Sequence, residues 1–342
     1  MRVLIIKTSS MGDIIHTLPA LTDASKAIPS ISFDWVVEEN FSEIPAWHPC
    51  VNKVIPVRLR HWRKNIFSKK TRQEWRAFYE TVRATQYDLV IDAQGLLKSV
   101  FLALHVRGKR CGFDFHSARD PFASLFYYRK ARTAKVKEAH AVMRVRDLFS
   151  QALGYPLPTT VPDYGVDRRR FMQKDGQDYL VFLHGTTWAT KHWPEEYWIE
   201  LAKMASNNGL KIKLPWGNAS EQARAQRIAS ACMQAEVLPR QGLVEMAGVL
   251  ANAKAVVAVD TGLGHLAAAL NVPTVSLYGP TNPALTGALG QSQKHLAVEF
   301  PCAPCFGREC TYRDRKNYLV NPPCFTTLPP SAVWAALGNI NS

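Results

Sequence analysis

The run Val3-Leu4-Ile5-Ile6, closed by the polar stretch Lys7-Thr8-Ser9-Ser10-Met11-Gly12-Asp13, decides the fold. A short apolar run that ends in a polar loop reads as a strand buried on both faces, as strands of parallel sheets are. A helical spacing follows at Ile14, Leu18, Leu21 and Ala24, with Pro19 either kinking that helix or marking a first turn. Ser32–Val37 and Asp88–Asp92 read as further strands, the second leading through Ala93-Gln94-Gly95 into a helix. Strands alternating with helices predict an α/β fold on a parallel sheet.

Pro156, Pro158 and Pro162 punctuate a stretch around Tyr155–Gly165 that lacks helical period. It reads as a linker between a domain over residues 1–160 and another over 161–342, the last helix packing back on the first domain. The alternation then restarts. Tyr179–Leu183 is strand-like, and Pro194 opens a helix carrying Tyr197, Leu201 and Met204. A strand at Leu210–Leu214, helices at Glu221–Ala231 and Val244–Ala251, and strands at Ala255–Val259 and Thr274–Leu277 follow. The simplest architecture is two Rossmann-like domains facing across a cleft, with ligands at the carboxyl ends of the strands. Polar residues gather at those ends: Ser9–Asp13, Asp92–Gln94, His184–Thr187, Trp216–Asn218 and Asp260–His265.

The 342 residues are 47% hydrophobic, which excludes a disordered chain, and 19 Gly and 7 Cys exclude collagen-like and disulfide-scaffold classes. No apolar run approaches the roughly 20 residues of a membrane span. Arg2 and Lys7 bracket too short a run for a secretory signal, so a cytoplasmic protein with reduced thiols is expected. The net charge of +14 is concentrated: residues 58–146 hold 21 Lys+Arg against 7 Asp+Glu. Such a block attracts a polyanion, whether nucleic acid, an anionic membrane surface or a phosphorylated substrate.

The loop Asp260-Thr261-Gly262-Leu263-Gly264-His265 sits between a strand and a helix, where small residues and a helix N-terminus suit a phosphate. Asp260 reads either as a helix cap or as an acceptor for sugar hydroxyls. His184-Gly185-Thr186-Thr187 with Lys191 makes a diphosphate site in which Lys191 is a point charge. Asp13 reads equally as a helix N-cap and as a general base. The block Arg58, Arg60, His61, Trp62, Arg63 and Lys64, continued by Lys69, Lys70, Arg72 and Trp75, is a solvated helix face or a stacking surface for single-stranded nucleic acid. Lys98, Arg119, Arg129, Lys130 and His140 extend it, a pattern suited to a phosphorylated substrate at a membrane surface. Cys302, Cys305, Cys310 and Cys324 have an outline of metal-ligand spacing and allow at most a structural Zn²⁺ site, though the spacing fits no standard finger.

Taken together, Met1–Asp13, His16-Thr17-Leu18-Pro19-Ala20-Leu21, Asp34–Glu39, Asp92–Ser99, Lys191–Glu196, Leu214–Gly217 and Asp260–His265 resemble the ADP-heptose:lipopolysaccharide heptosyltransferases, the type I members most of all. The resemblance runs from residue 1 to about residue 290. It implies a GT-B fold and inverting transfer of L-glycero-D-manno-heptose from ADP-heptose to the first Kdo of Kdo2-lipid A. It implies Asp13 as base and Lys191 at the diphosphate. Thr186, Thr187, Thr261, Gly262 and His265 would fall on the phosphates, Asp260 on the heptose, Glu221 on the ribose and Trp216 near the nucleoside. Ser10, Arg60, Arg63, Lys64, Gln94, Lys98, Arg119 and His140 would serve the anionic acceptor. No cofactor or metal is implied for transfer and no nucleic-acid partner. The expected location is the cytoplasmic face of the inner membrane. The Cys302–Cys324 segment looks more like the tails of type II relatives, so a type II enzyme stands as an alternative, with a nucleotide-sugar epimerase or a nucleic-acid-binding module behind it.

Overall fold

The computed structural model describes residues 1–173 and 178–338. It divides into two compact units, Met1–Val166 and Asp167–Ser342. The first is built on β1 (Arg2–Ile6), β2 (Ser32–Glu38), β3 (Val51–Val57), β4 (Gln86–Asp92), β5 (Arg107–Phe113) and β6 (Arg129–Ala131). Its helices are α1 (Met11–Ile15), α2 (Leu18–Ala27), α3 (Glu43–Ala46), α4 (Leu59–Lys64), α5 (Lys69–Arg83), α6 (Leu97–Ala103) and α7 (Ala141–Leu153). The second unit holds β7 (Tyr179–Leu183), β8 (Lys211–Leu214), β9 (Ala235–Val237), β10 (Ala255–Val259), β11 (Thr274–Tyr278) and β12 (Gln293–Ala297). With them come α8 (Glu195–Asn207), α9 (Ala219–Ser230), α10 (Leu243–Ala251), α11 (Gly262–Ala269), α12 (Pro283–Thr286) and α13 (Pro330–Gly338).

Both sheets are parallel and six-stranded, in the orders β3-β2-β1-β4-β5-β6 and β12-β11-β10-β7-β8-β9. Read from its own first strand, each is a Rossmann sheet, and the order reverses between β1 and β4 in one unit and between β7 and β10 in the other. At such a point the connections leave in opposite directions and open a crevice at the carboxyl ends of the strands. The central strands are fully apolar because helices cover both faces. Val3, Leu4, Ile5 and Ile6 are completely buried, as are Ala255, Val256, Val257 and Ala258. Each such Val, Leu or Ile side chain contributes about 1.5–3 kcal/mol.

Local signals explain the helix ends. Pro19 stands in the first turn of α2, where its missing N–H costs nothing, so there are two helices rather than one kinked helix. Gly154 ends α7 at φ 79°, the left-handed cap that glycine adopts without strain. The proline-rich stretch Tyr155–Gly165 carries no helix or strand but is tied to the first unit. Tyr155 and Tyr164 are buried there, and Arg146 Nη1 donates to Thr160 O at 3.0 Å. Arg146 is itself completely buried, with Nε 2.6 Å from Asp23 Oδ2 and Nη2 3.2 Å from Asp23 Oδ1, clamping α7 to α2. In the second unit α13 packs on α8 and β11.

Candidate active site

In the first unit the crevice between β1 and β4 is a pocket lined in part by Lys7, Asp13, His16, Gln94, Arg119 and Arg144. Asp13 stands in the first turn of α1, where a carboxylate suits the helix dipole. Its Oδ2 accepts from the Ser10 amide and hydroxyl, each at 3.1 Å, and Arg119 Nη2 donates to its Oδ1 at 2.6 Å. Lys7 Nζ lies 3.8 Å from the same Oδ1 and donates to Ala93 O at 2.8 Å, bridging the ends of β1 and β4. Burial alone would raise the Asp13 carboxyl, but Lys7, Arg119 and the Ser10 amide hold it well below the usual carboxylate range. Burial brings Lys7 down to about 8 against the pull of Asp13, and Arg144 down to about 10, with Arg119 adding to the fall. One ionised carboxylate thus sits among three cations.

The walls of this pocket are braced from β4. Gln94 is buried, and its Oε1 accepts from the amides of Thr8 and Ser9 at 3.0 and 3.3 Å, so its carbonyl holds the loop after β1. Asp92 accepts from the Gln94 and Gly95 amides, the Ser99 hydroxyl and the Tyr127 hydroxyl. Burial raises the Asp92 carboxyl, and those four donors oppose the rise. The Tyr127 ring lies on Gly112 of β5, where any Cβ would enter the ring. His140 Nδ1 accepts from the Val142 amide at the start of α7, and its ring meets that of His16 edge-on at 5.8 Å.

The remaining basic residues divide. Arg60 and Lys98 face Glu38 at the end of β2, where burial raises the carboxyl despite the Arg60 and Leu59 amides and both charges. Arg63 and Lys64 are exposed on α4 and do not line the pocket around Asp13. Arg58 pairs with Glu39 and Glu74 at 3.2 and 2.8 Å. The aromatics of this block are not a stacking platform. Trp62 is buried, donates from Nε1 to Glu74 at 2.7 Å, and packs against Trp75 and Phe78. The spacing Thr71, Trp75, Phe78, Val82 already marks that apolar stripe of α5.

In the second unit Lys191 and Asp260 converge. Lys191 Nζ lies 2.7 Å from Asp260 Oδ2, which also accepts from the Thr281 hydroxyl at 2.7 Å. Thr186 Oγ1 donates to Asp260 O at 3.0 Å and so joins the ends of β7 and β10. Thr261 is the N-cap of α11, with Gly262 in the first turn and His265 buried along it. Thr187 is exposed beside them. A helix N-terminus with a lysine and hydroxyls at its mouth suits a diphosphate. Glu221 accepts from the Gly217 amide at 2.7 Å, and its carboxyl carbon is 2.6 Å from where a Gly185 Cβ would be, so glycine alone admits this approach. Trp216 is half-buried and anchored through Nε1 to Leu238 O at 2.7 Å.

Sequence reasoning missed Arg144, Trp188, Thr281 and Arg308. Lys191 Nζ lies 4.5 Å from the centroid of the Trp188 ring and the Arg308 guanidinium 5.4 Å from it. The cysteine segment reaches this loop directly, with the Thr190 hydroxyl donating to Gly307 O and the Thr190 amide to Arg308 O. Cys302, Cys305, Cys310 and Cys324 are free thiols. Burial, then the other three thiols, push Cys324 up to about 12. Among the described residues no group of three His, Cys, Asp or Glu side chains is placed to hold a metal ion. No helix among them is long and apolar enough to cross a membrane.

Comparisons with known proteins agree with this fold. The family model described as glycosyltransferase family 9 (heptosyltransferase) matches residues 75–316. Lipopolysaccharide heptosyltransferase 1 of Pseudomonas aeruginosa is 58% identical over 347 residues, spanning 98% of this chain and 97% of that protein. The structure of E. coli heptosyltransferase WaaC with ADP is 47% identical and superposes with a TM-score of 0.88 over 99% of this chain and 100% of that one. E. coli ADP-heptose lps heptosyltransferase II, at 21% identity and a TM-score of 0.74 over 100% of this chain and 98% of that one, shares the fold. With paired Rossmann units of GT-B type, a family match over most of its length and close relatives along nearly all of it, this chain belongs to glycosyltransferase family 9, the heptosyltransferases.

Proposed function

We propose that the chain transfers L-glycero-D-manno-heptose from ADP-heptose to the first Kdo of Kdo2-lipid A, with inversion at the anomeric carbon, in building the lipopolysaccharide inner core. The observation that carries this reading is the ionised Asp13 held in a pocket of cations at the β1/β4 crevice. An acceptor with phosphates and Kdo carboxylates is drawn to Lys7, Arg119 and Arg144, which brings its hydroxyl beside Asp13 as base. Asp13 takes the hydroxyl proton while the acceptor oxygen bonds to the anomeric carbon. The bond from that carbon to the diphosphate oxygen breaks, and its electron pair leaves with ADP. Lys191 and the N-terminus of α11 neutralise the departing charge. In-line attack opposite the leaving group inverts the carbon through an oxocarbenium-like transition state.

Thr186, Thr187, Thr261, Gly262 and His265 serve the phosphates in this reading, Asp260 the heptose, Glu221 the ribose and Trp216 the nucleoside. Ser10, Gln94, His140, Arg60, Arg63, Lys64 and Lys98 line the approach of the acceptor. The enzyme works at the cytoplasmic face of the inner membrane, on an anionic lipid surface and without nucleic acid. The first-heptose assignment is supported over a later one by 58% identity to a relative named type 1 against 21% to the type II structure. The alignment with the Pseudomonas relative spans 98% of the chain, whereas those with the E. coli and Salmonella type 1 proteins span 86%. Incubation with ADP-heptose and Kdo2-lipid A, followed by mass spectrometry of the lipid, is expected to show one added heptose. Product only from an already heptosylated lipid would assign the chain to the type II reaction.

A further inference from the structure

The seven-residue helix α6 is apolar on two sides. Val100, Leu102 and Ala103 are buried, while Leu97, Phe101 and Leu104, spaced to share the opposite face, are exposed. Apolar side chains left exposed on the outer side of a helix whose inner side is already packed call for a second apolar environment. The turn Pro121–Phe126 repeats the pattern, with Ala123 buried and Phe122 and Leu125 exposed to 61% and 65%. The two elements pack together through Val100, Ala123 and Tyr127, so their outward faces adjoin. Phe115 extends the patch, edge-on to Phe122 at 6.2 Å. Contiguous exposed apolar surface on this scale marks a place of contact.

The surroundings of the patch say what kind. Lys98 projects from the exposed side of α6. Arg110 Nε donates to Phe126 O at 3.2 Å, and Lys109 lies 5.3 Å from the centroid of the exposed Tyr128 ring. Arg129 and Lys130 are exposed on the neighbouring β6. Apolar side chains among cations, with snorkelling Lys and Arg, match the boundary of an anionic bilayer, where acyl chains lie under negative headgroups. The same loop turns Arg119 inward to Asp13.

We propose that the outer face of α6 and the loop from Phe115 to Tyr128 seat this chain on an anionic lipid bilayer, with the Asp13 pocket beside the membrane. The proposal deepens the lipid-acceptor reading above, but it is tested without any acceptor. The full chain is mixed with vesicles of phosphatidylcholine alone or of phosphatidylcholine with phosphatidylglycerol, and the bound fraction is measured by flotation. Binding is expected only with the anionic vesicles, falling as salt rises. Phe122→Ser with Leu125→Ser is expected to weaken it by about tenfold or more, from the lost apolar area. Lys109→Glu with Lys130→Glu should weaken it comparably at low salt. ADP affinity and circular dichroism of each variant should match the parent. Equal partitioning of parent and variants overturns the proposal, as does indifference to lipid charge. So does a concentration-dependent dimer that Phe122→Ser with Leu125→Ser abolishes, which would assign the patch to a second copy of the chain. Turnover of a deacylated, water-soluble Kdo acceptor separates the two readings. Loss of vesicle binding with that turnover retained supports the membrane seat, whereas a parent inactive on every Kdo acceptor but bound to vesicles sinks the functional reading alone.

Discussion

Arg119 holds a guanidinium nitrogen 2.6 Å from Asp13 Oδ1, while the Ser10 amide and hydroxyl occupy Oδ2. The carboxylate is therefore ionised and gripped, and a gripped carboxylate is a weak base. In the proposed reaction, an anionic group of the acceptor that draws Arg119 to itself would release Asp13 to take a proton where the acceptor has arrived.

This pairing fixes the sign of a pH effect. Asp13 lies well below the usual carboxylate range in the folded chain, so it stays charged down to below about pH 4. Arg119→Ala removes one of the charges that depress it. The acid limb of kcat/KM is expected to move to higher pH in that variant. A profile with an unmoved acid limb would show that Asp13 does not govern the rate.

Lys7 titrates from the other side. Burial brings it down to about 8, so it loses its charge as the pH rises through that value. The positive potential of the pocket falls with it, and KM for the anionic acceptor is expected to rise above about pH 8 while KM for ADP-heptose stays level. Lys7→Met should show a high acceptor KM at every pH, without that alkaline rise; steady-state kinetics across pH decide it.

Asp13→Ala is expected to abolish measurable transfer, by at least about 10²–10⁴ in kcat, as for loss of a positioned base. Isothermal titration should find ADP-heptose bound as in the parent, because the residues proposed for the donor belong to the second unit. Equal loss of donor binding would make Asp13 a structural cap.

On the donor side, Lys191→Ala removes the cation 2.7 Å from Asp260 Oδ2 and leaves that buried carboxylate to Thr281. A charge-assisted contact contributes about 1.5–3 kcal/mol, so ADP affinity is expected to fall about tenfold to a hundredfold. Arg308→Ala removes the other cation over Trp188 without touching Asp260, and a smaller loss is expected. Titration with ADP ranks the two, and an Arg308 variant weaker than the Lys191 variant would reverse the assignment.

Stability rests on a different pair. Arg146 and Asp23 form a bidentate ion pair that is nearly dry. Asp23→Ala strands a buried guanidinium and is expected to cost about 3–5 kcal/mol, whereas Asp23→Leu with Arg146→Met should cost less, since neither charge is then left alone. Urea unfolding of the two variants checks the order.

The central strands were legible because burial on both faces writes a plain apolar run, as in Val3–Ile6 and Ala255–Val259. β5, Arg107-Gly108-Lys109-Arg110-Cys111-Gly112-Phe113, was not, because its first half is at least partly exposed and tolerates charge. The outlying β3, β6, β9 and β12 were missed for the same physical reason. Within the candidate site, Asp13 and Asp260 could be read because strand ends at a switch point are where such folds place ligands, and Lys191 because it follows the polar end of β7 just before the Pro194 helix start. Arg144, Thr281 and Arg308 arrive from distant segments, and no local spacing announces them. The basic block was legible as charge but not as structure: Arg58 and Trp62 are held by Glu74, a partner on another helix.

Gly112 and Tyr127 lie on neighbouring stretches of one sheet edge, yet the ring on the bare glycine sends its hydroxyl to Asp92 and so shapes the loop that ends at Ser99. Among natural variants of this enzyme the two positions should therefore drift as a couple. A methyl group gained at 112 would be tolerated only where the tyrosine had already given way to something smaller, and lineages that took the first step alone would carry a slackened pocket around Asp13 rather than an unfolded protein.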